Sequence, residues 1–308
     1  MNNRNPRTEL HDHDHGLQYD LALIEARMRE RRRALSWLIA GGTAALVSAC
    51  GGGTDGTGTT SSSSGNTSSD SSSGSTSGST SGSTSTSGTC MANAEETAGP
   101  YPGDGSNTVN GMASNVLNQS GIVRADIRSS FGSSTTVAPG VPLTLTLNVV
   151  NSNTSCTSLS GYAVYIWHCT RDGQYSLYSS SIQNENFLRG VQVTDANGQV
   201  TFTTIYPGCY SGRYPHIHIE VYPSLGLATL YTNKVLTSQM AMPRDISSAV
   251  YSGATGYSQS VTNLGSITTA TDGVFGDNSA AQIAQMTPSL SGSVNEGFRG
   301  TILVGVPA

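Results

Sequence analysis

Between Leu143 and Val149 the chain alternates strictly: Leu143, Leu145, Leu147 and Val149 against Thr144, Thr146 and Asn148. Period two is the period of a β-strand, whose successive side chains leave on opposite faces, so this segment has one face to bury and one to leave. Residues 161–169, "GYAVYIWHC", follow in kind, with Tyr162, Val164, Ile166 and His168 on one side. Turn signals punctuate the pattern. Asp172-Gly173 marks a hairpin between that strand and "QYSLYS", and Asn197-Gly198 joins "GVQVTDA" to "QVTFTTIY". Pro207-Gly208 and Ser211-Gly212 bracket Tyr210 in a turn before "HIHIEV", and "GTILVGV" is expected as the last strand. Helical periodicity is weak outside 278–286. Short strands at such intervals predict an all-β fold, a single antiparallel β-sandwich.

Only part of the 308 residues can contribute to it. Residues 51–89 are almost pure Gly, Ser and Thr, with no apolar surface to offset the entropy of ordering, and read as a flexible tether. Residues 1–50 read as an export signal, with a basic cluster (Arg31, Arg32, Arg33), a short apolar stretch and then small residues. Arg32-Arg33-x-Leu35 resembles a twin-arginine signal, the route for already folded proteins. "VSAC" resembles a lipobox, with Cys50 as the lipidated first residue of an exported, membrane-anchored chain; an ordinary cleaved signal is the alternative. "HDHDHG" at 11–16 looks like a metal-binding tract but lies upstream of that cleavage. The folded domain is therefore expected at 90–308.

The net charge is −5, and beyond residue 50 the chain carries 8 basic against 14 acidic side chains, with no basic stripe. Nucleic acid is an unsuitable partner for such a surface. No apolar run approaches the roughly 20 residues of a membrane span, so a membrane enters only through the lipid anchor. Cys90, Cys156, Cys169 and Cys209 in an exported chain suggest two disulfides of undetermined connectivity. A four-cysteine zinc site is disfavoured by long spacings without a C-x-x-C pair.

His216 and His218 are separated by one isoleucine, which in a strand points both imidazoles to one face. Such pairs serve zinc, copper and iron alike. Tyr175 and Tyr210 each fall beside a turn, and Tyr214 rivals Tyr210 by face parity, except that Pro215 interrupts the strand there. If two neutral imidazoles and two phenolates converge, they suit a hard trivalent ion, Fe(III), better than Zn(II) or Cu(I). A phenol of ordinary pKa about 10 ionises at neutral pH only beside a strong Lewis acid.

In the order of its motifs the chain resembles the intradiol ring-cleavage dioxygenases, the family of protocatechuate 3,4-dioxygenase and catechol 1,2-dioxygenase. "EETAGPYPGD" (95–104) is similar to the family's T-E-G-P-Y motif and "YIWHCTRDGQYS" to V-x-I-W-[HQ]-A-x-x-x-G-x-Y. "GVQVTDANGQVTFTTIYPGCY" is similar to T-D-x-x-G-x-Y-x-F-x-T-I-x-P-G-x-Y, with Val200 replacing a frequent aromatic, and "RYPHIHIEV" to R-x-x-H-I-H. The resemblance runs from residue 95 to about 244.

It implies one Fe(III) per domain, held by Tyr175, Tyr210, His216 and His218. Tyr210 corresponds to the tyrosine that leaves when substrate chelates and Tyr175 to the one that stays. Arg213 corresponds to the arginine beside the bound ring, and Gln239, in "TSQM", to the T-Q-M glutamine near substrate and oxygen, at a longer spacing from His218. Trp167, His168 and Tyr101 are candidates to line the substrate pocket; each has a supporting role in the core as its alternative. The implied partners are small-molecule catechols and O2, and the implied product is a cis,cis-muconate-type acid. The Ser/Gly tether stands where cytoplasmic catechol dioxygenases carry a helical dimerisation domain, which leaves a homodimer open. Cys169 and Cys209 adjoin His168 and Tyr210, so a disulfide between them would brace the site. Two rival readings are a non-catalytic β-sandwich binding module on a lipoprotein tether and a zinc hydrolase using the His pair. The first need not keep all five residues, and the second leaves the tyrosines unexplained.

Overall fold

The computed structural model describes residues 90–308; Cys50, the export signal and the tether lie outside the described residues. The chain forms β1 (Asp104–Val109), β2 (Met112–Asn115), β3 (Pro142–Asn151), β4 (Thr157–Ser158), β5 (Ala163–Trp167), β6 (Arg189–Val193), β7 (Gln199–Ile205), β8 (His216–Tyr222) and β9 (Leu236–Ala241). Three helices follow, α1 (Arg244–Gly253), α2 (Ser258–Gly265) and α3 (Ala280–Met286), and then β10 (Ser289–Ser293) and β11 (Gly297–Val306).

Two sheets make the sandwich. In the first, β10, β11 and β3 lie side by side, and the far edge of β3 is shared by β7 and the short β4. The second is β6-β5-β8-β9, antiparallel throughout. Leu143, Leu145, Leu147 and Val149 of β3 point inward, as their alternation requires, and meet Val164, Ile166, Ile217, Ile219 and Val221 of the second sheet. One pair departs from antiparallel: β11 runs parallel to β3. No tight turn can join parallel neighbours, and here the chain runs through β4–β9, α1–α3 and β10 before β11 returns beside β3. Of these helices, α3 falls where helical periodicity was visible, with a Ser279–Gln282 capping box. Helix α1 buries Val250 and Tyr251 in the central core, with Ile246 against it, and is tied down by two bonds, Tyr251 Oη to the Pro207 carbonyl and Ser247 Oγ to Tyr206 Oη.

Both expected hairpins are corrected. Asp172-Gly173 does turn the chain, with the Gly173 amide on the Thr170 carbonyl, but "QYSLYS" is a run of turns in which Leu177 has φ 73. The partners of β5 are β6 and β8. At Asn197-Gly198 the Asp195 carboxylate caps a tight turn, but β6 and β7 belong to opposite sheets, so this turn is a crossing and not a hairpin.

The two expected disulfides reduce to one. Cys90–Cys156 is formed and closes a loop across 66 residues of sequence, a constraint of about 4 kcal/mol on the unfolded chain. Cys169 and Cys209 are buried free thiols. Cys169 packs in the cluster outside the second sheet and donates to the Gly208 carbonyl; Cys209 packs in the central core and donates to the Arg213 carbonyl. Each sulfur is bonded to a carbonyl as a thiol, and no bridge braces the site.

The outer face of the second sheet is the part of the fold that matters for function. Tyr165, Trp167 and Tyr222 on that face are covered by Ala98, Val116, Leu117 and Ile122 from the amino-terminal segment and by Tyr175 and Tyr178 from the loop after β5. Every residue of β5 and of β8 is consequently buried, on both faces.

Candidate metal centre

A buried polar group costs about 1–3 kcal/mol if it finds no partner, and β8 buries four on one face: His216, His218, Glu220 and Tyr222. Glu220 and Tyr222 satisfy each other, Tyr222 Oη donating to Glu220 at 2.7 Å, with Lys234 Nζ on the other carboxylate oxygen. The histidines turn to each other and to two tyrosines. His216 Nε2 lies 3.2 Å from His218 Nε2 and 3.4 Å from both Tyr175 Oη and Tyr210 Oη, and Tyr175 Oη is 3.4 Å from His218 Nε2.

Two glycines explain how tyrosines from separate loops reach this point. A Cβ on Gly173, which has φ +87, would sit 2.9 Å from Tyr210 Cβ; one on Gly208 would strike the Thr170 and Arg171 carbonyls at 2.8 and 2.6 Å. The turn before Tyr175 and the segment before Tyr210 thus pack backbone against backbone, and no larger residue permits that approach. Arg189, the first residue of β6, then clamps the Tyr175 side. Its five N–H groups reach Ser176 Oγ, Tyr165 Oη and the carbonyls of Tyr101, Pro102 and Ser176. Sequence reading gave no notice of this arginine.

The four donors fit a cation better than they fit one another. His216 Nδ1 donates to the Tyr214 carbonyl at 2.5 Å, which leaves the lone pair on Nε2. That single lone pair faces three neighbours at 3.2–3.4 Å, longer than good hydrogen bonds. The spacing is that of neighbours in one coordination shell with bonds of about 2 Å. Burial, reinforced by the Arg213 charge, pushes His216 down to about 3, and burial with His216 beside it pushes His218 well below its ordinary range. Both rings are therefore neutral and in ligand form. Burial and then Tyr210 push the Tyr175 phenol well above its usual value, so its ionisation needs a strong Lewis acid in contact with it. Among the described residues no group of three or more His, Cys, Asp or Glu comes together, so a site of the usual zinc composition is not built there.

The remaining expected residues surround this centre unequally. Trp167, His218 and Gln239 face one another across β5, β8 and β9, and the Trp167 indole stacks on His218 at 4.6 Å and 5°. Gln239 accepts from Arg213 Nη2 at 2.7 Å and donates to the Thr97 carbonyl at 2.8 Å. The longer spacing of this glutamine in the sequence is taken up by the two short 3₁₀ turns between β8 and β9, and cross-strand register restores its place. The Tyr101 ring lies tilted against Tyr175, with centres 4.8 Å apart. Tyr214 is turned away, packing edge-on against Phe275, and β8 starts just after Pro215. His168 does not join the centre: its Nε2 meets Thr204 Oγ1 of β7 at 2.7 Å and its Nδ1 the Cys169 carbonyl, making it a satisfied histidine between the sheets. Burial pushes it down to about 4. The residue that sequence reading missed most plainly is Asp272, whose Oδ2 accepts from Arg213 Nε at 2.9 Å and from the Tyr214 amide at 2.7 Å.

The β-sandwich thus brings two histidines and two tyrosines to one point on a covered sheet face. Residues 125–250 match the family model Dioxygenase_C, described as dioxygenase. An intradiol ring-cleavage dioxygenase from Tetranychus urticae superposes with a TM-score of 0.53 at 25% identity, covering 71% of this chain and 96% of that one. A second dioxygenase crystal structure, 24% identical over 71% of this chain and 95% of its own, has a TM-score of 0.52 and shares the fold. Chlorocatechol 1,2-dioxygenase of Rhodococcus opacus is 29% identical over 119 residues, 32% of this chain; the match spans 46% of that relative, about half its length. These matches all indicate the intradiol ring-cleavage dioxygenase family.

Proposed function

We propose that this chain is a non-haem Fe(III) intradiol dioxygenase, inserting both atoms of O2 into a catechol-type ring and opening it between the two hydroxylated carbons. The observation that carries the reading is the meeting of His216, His218, Tyr175 and Tyr210, whose donor atoms are linked by four contacts of 3.2–3.4 Å. These four would hold one ferric ion per domain, which when bound supplies the Lewis acidity that ionises a catechol and opens it to O2.

The protein's own groups have separable tasks. Tyr175 is buried and pinned between Tyr101 and the Arg189 clamp, which suits a donor that stays. Tyr210 is only partly buried and lies at the mouth of its loop, which suits a donor that leaves; its phenolate Oη can then take a catechol proton. Arg213, a buried cation held by Asp272, stabilises negative charge developing on the ring carbon. Trp167 fixes the plane of His218 and Gln239 holds the guanidinium edge. Export and lipidation at Cys50 belong to the same proposal and would place the chemistry outside the cytoplasm.

Oxygen uptake with catechol, combined with mass analysis of the product made under labelled O2, tests this. One O2 consumed per ring and both labelled atoms in a cis,cis-muconate-type diacid are expected. Iron-loaded protein that consumes no O2 across a panel of catechols, or that cleaves outside the two hydroxyls, overturns it.

A further inference from the structure

Asp272 lies in the loop between α2 and α3, outside every recognised motif, and its side chain has no exposure at all. Its carboxylate is fully used. Oδ1 accepts from the amides of Val274 and Phe275 at 2.8 and 2.9 Å, fixing the group to its own loop. Oδ2 accepts from Arg213 Nε and from the Tyr214 amide. Arg213 Nη2 is bonded to Gln239, which is in turn tied to the Thr97 carbonyl. The guanidinium plane is thereby fixed at two corners. No described residue accepts from its third nitrogen, Nη1. The same loop contributes Phe275, whose ring centre lies 6.0 Å from Arg213 Cζ and 6.4 Å from the His216 ring.

A guanidinium this buried loses its place without a counter-charge, and a lone arginine on a long stem has many rotamers to choose from. We infer that Asp272 is a positioning residue, which aims the Arg213 guanidinium so that Nη1 faces the ring of a bound catechol. The inference rests on the proposed dioxygenase reading for its substrate, and its geometry stands on the Asp272–Arg213–Gln239 chain of bonds. Asparagine at 272 removes the charge and can offer only one oxygen, so it cannot serve both the Arg213/Tyr214 pair and the Val274/Phe275 pair. Since the role is exerted through Arg213, the two residues must be coupled.

The test is a double-mutant cycle on iron-loaded protein with D272N, R213Q and the double variant, read by kcat and KM and by anaerobic optical titration with catechol. D272N is expected to keep its iron and its resting spectrum, to lose on the order of 10²-fold in kcat through misplacement of the cation, and to shift the catechol-bound spectrum. In the R213Q background the same change should cost less than about threefold, since coupled residues are not additive. Equal losses in both backgrounds, or a D272N enzyme as fast as the parent, overturn the inference. If D272N does not fold, D272E keeps the charge one methylene too far; it should show the same coupling, and parental activity in it also overturns the inference. Parent protein that binds catechol but consumes no O2 would sink the dioxygenase reading alone, and the anaerobic titration would still report on Asp272.

Discussion

The two faces of the β6-β5-β8-β9 sheet are equally dry and chemically opposite. On β8, Ile217, Ile219 and Val221 enter the central core, while His216, His218, Glu220 and Tyr222 are buried beneath the amino-terminal segment. The first face is held by area removed from water and by close packing. The second is held by polar groups that satisfy one another in pairs, at Tyr222–Glu220–Lys234, Arg189–Ser176 and Arg213–Asp272, and leaves four donors converging on a point. One face should therefore carry stability and the other chemistry.

The largest effect is expected on the polar face. His218→Ala removes one of four donors and should abolish stoichiometric iron binding and turnover, while the melting temperature of the metal-free protein changes little. Metal analysis with calorimetry checks this, and retained iron would break the division. On the apolar face Ile219→Ala should cost about 2–5 kcal/mol by leaving a cavity in the core. Its folded fraction should keep kcat within a few-fold, as denaturant melts and assays below the transition would show. The smallest effect joins the two regions. Gly173→Ala must place a side chain at φ +87 and push Tyr210 Cβ from 2.9 Å, costing about 1–2 kcal/mol. Because the push falls on Tyr210, the tyrosine proposed to leave, KM for catechol should change more than kcat.

Much of the site was legible because it is written in local motifs: two histidines one residue apart, and tyrosines beside glycine turns. The alternation on β3 also reads directly as one buried face. The alternation on β8 reads as two unlike faces, but not that both are dry, since the layer that covers the polar face comes from far away in sequence. Asp272 was invisible for the same reason. It lies 59 residues from Arg213, in an Asp-Gly pair that signals only a turn. Sheet membership was no more local: Asn197-Gly198 encodes a tight turn, and nothing in it tells that β7 crosses to the other sheet. The parallel β11 likewise pairs with a strand far earlier in the sequence, a partnership that no local pattern encodes. Cys169 and Cys209 count as a pair in composition and sit in different layers in space.

The central claim is that both tyrosines and both histidines bind one ferric ion. The visible absorption spectrum of the purified protein at one iron per chain tests it most directly. Tyrosinate-to-Fe(III) charge transfer should colour the protein red to purple, and Tyr210→Phe should shift the band without removing it. A colourless protein at full iron loading, or a band untouched by Tyr210→Phe, would contradict the account.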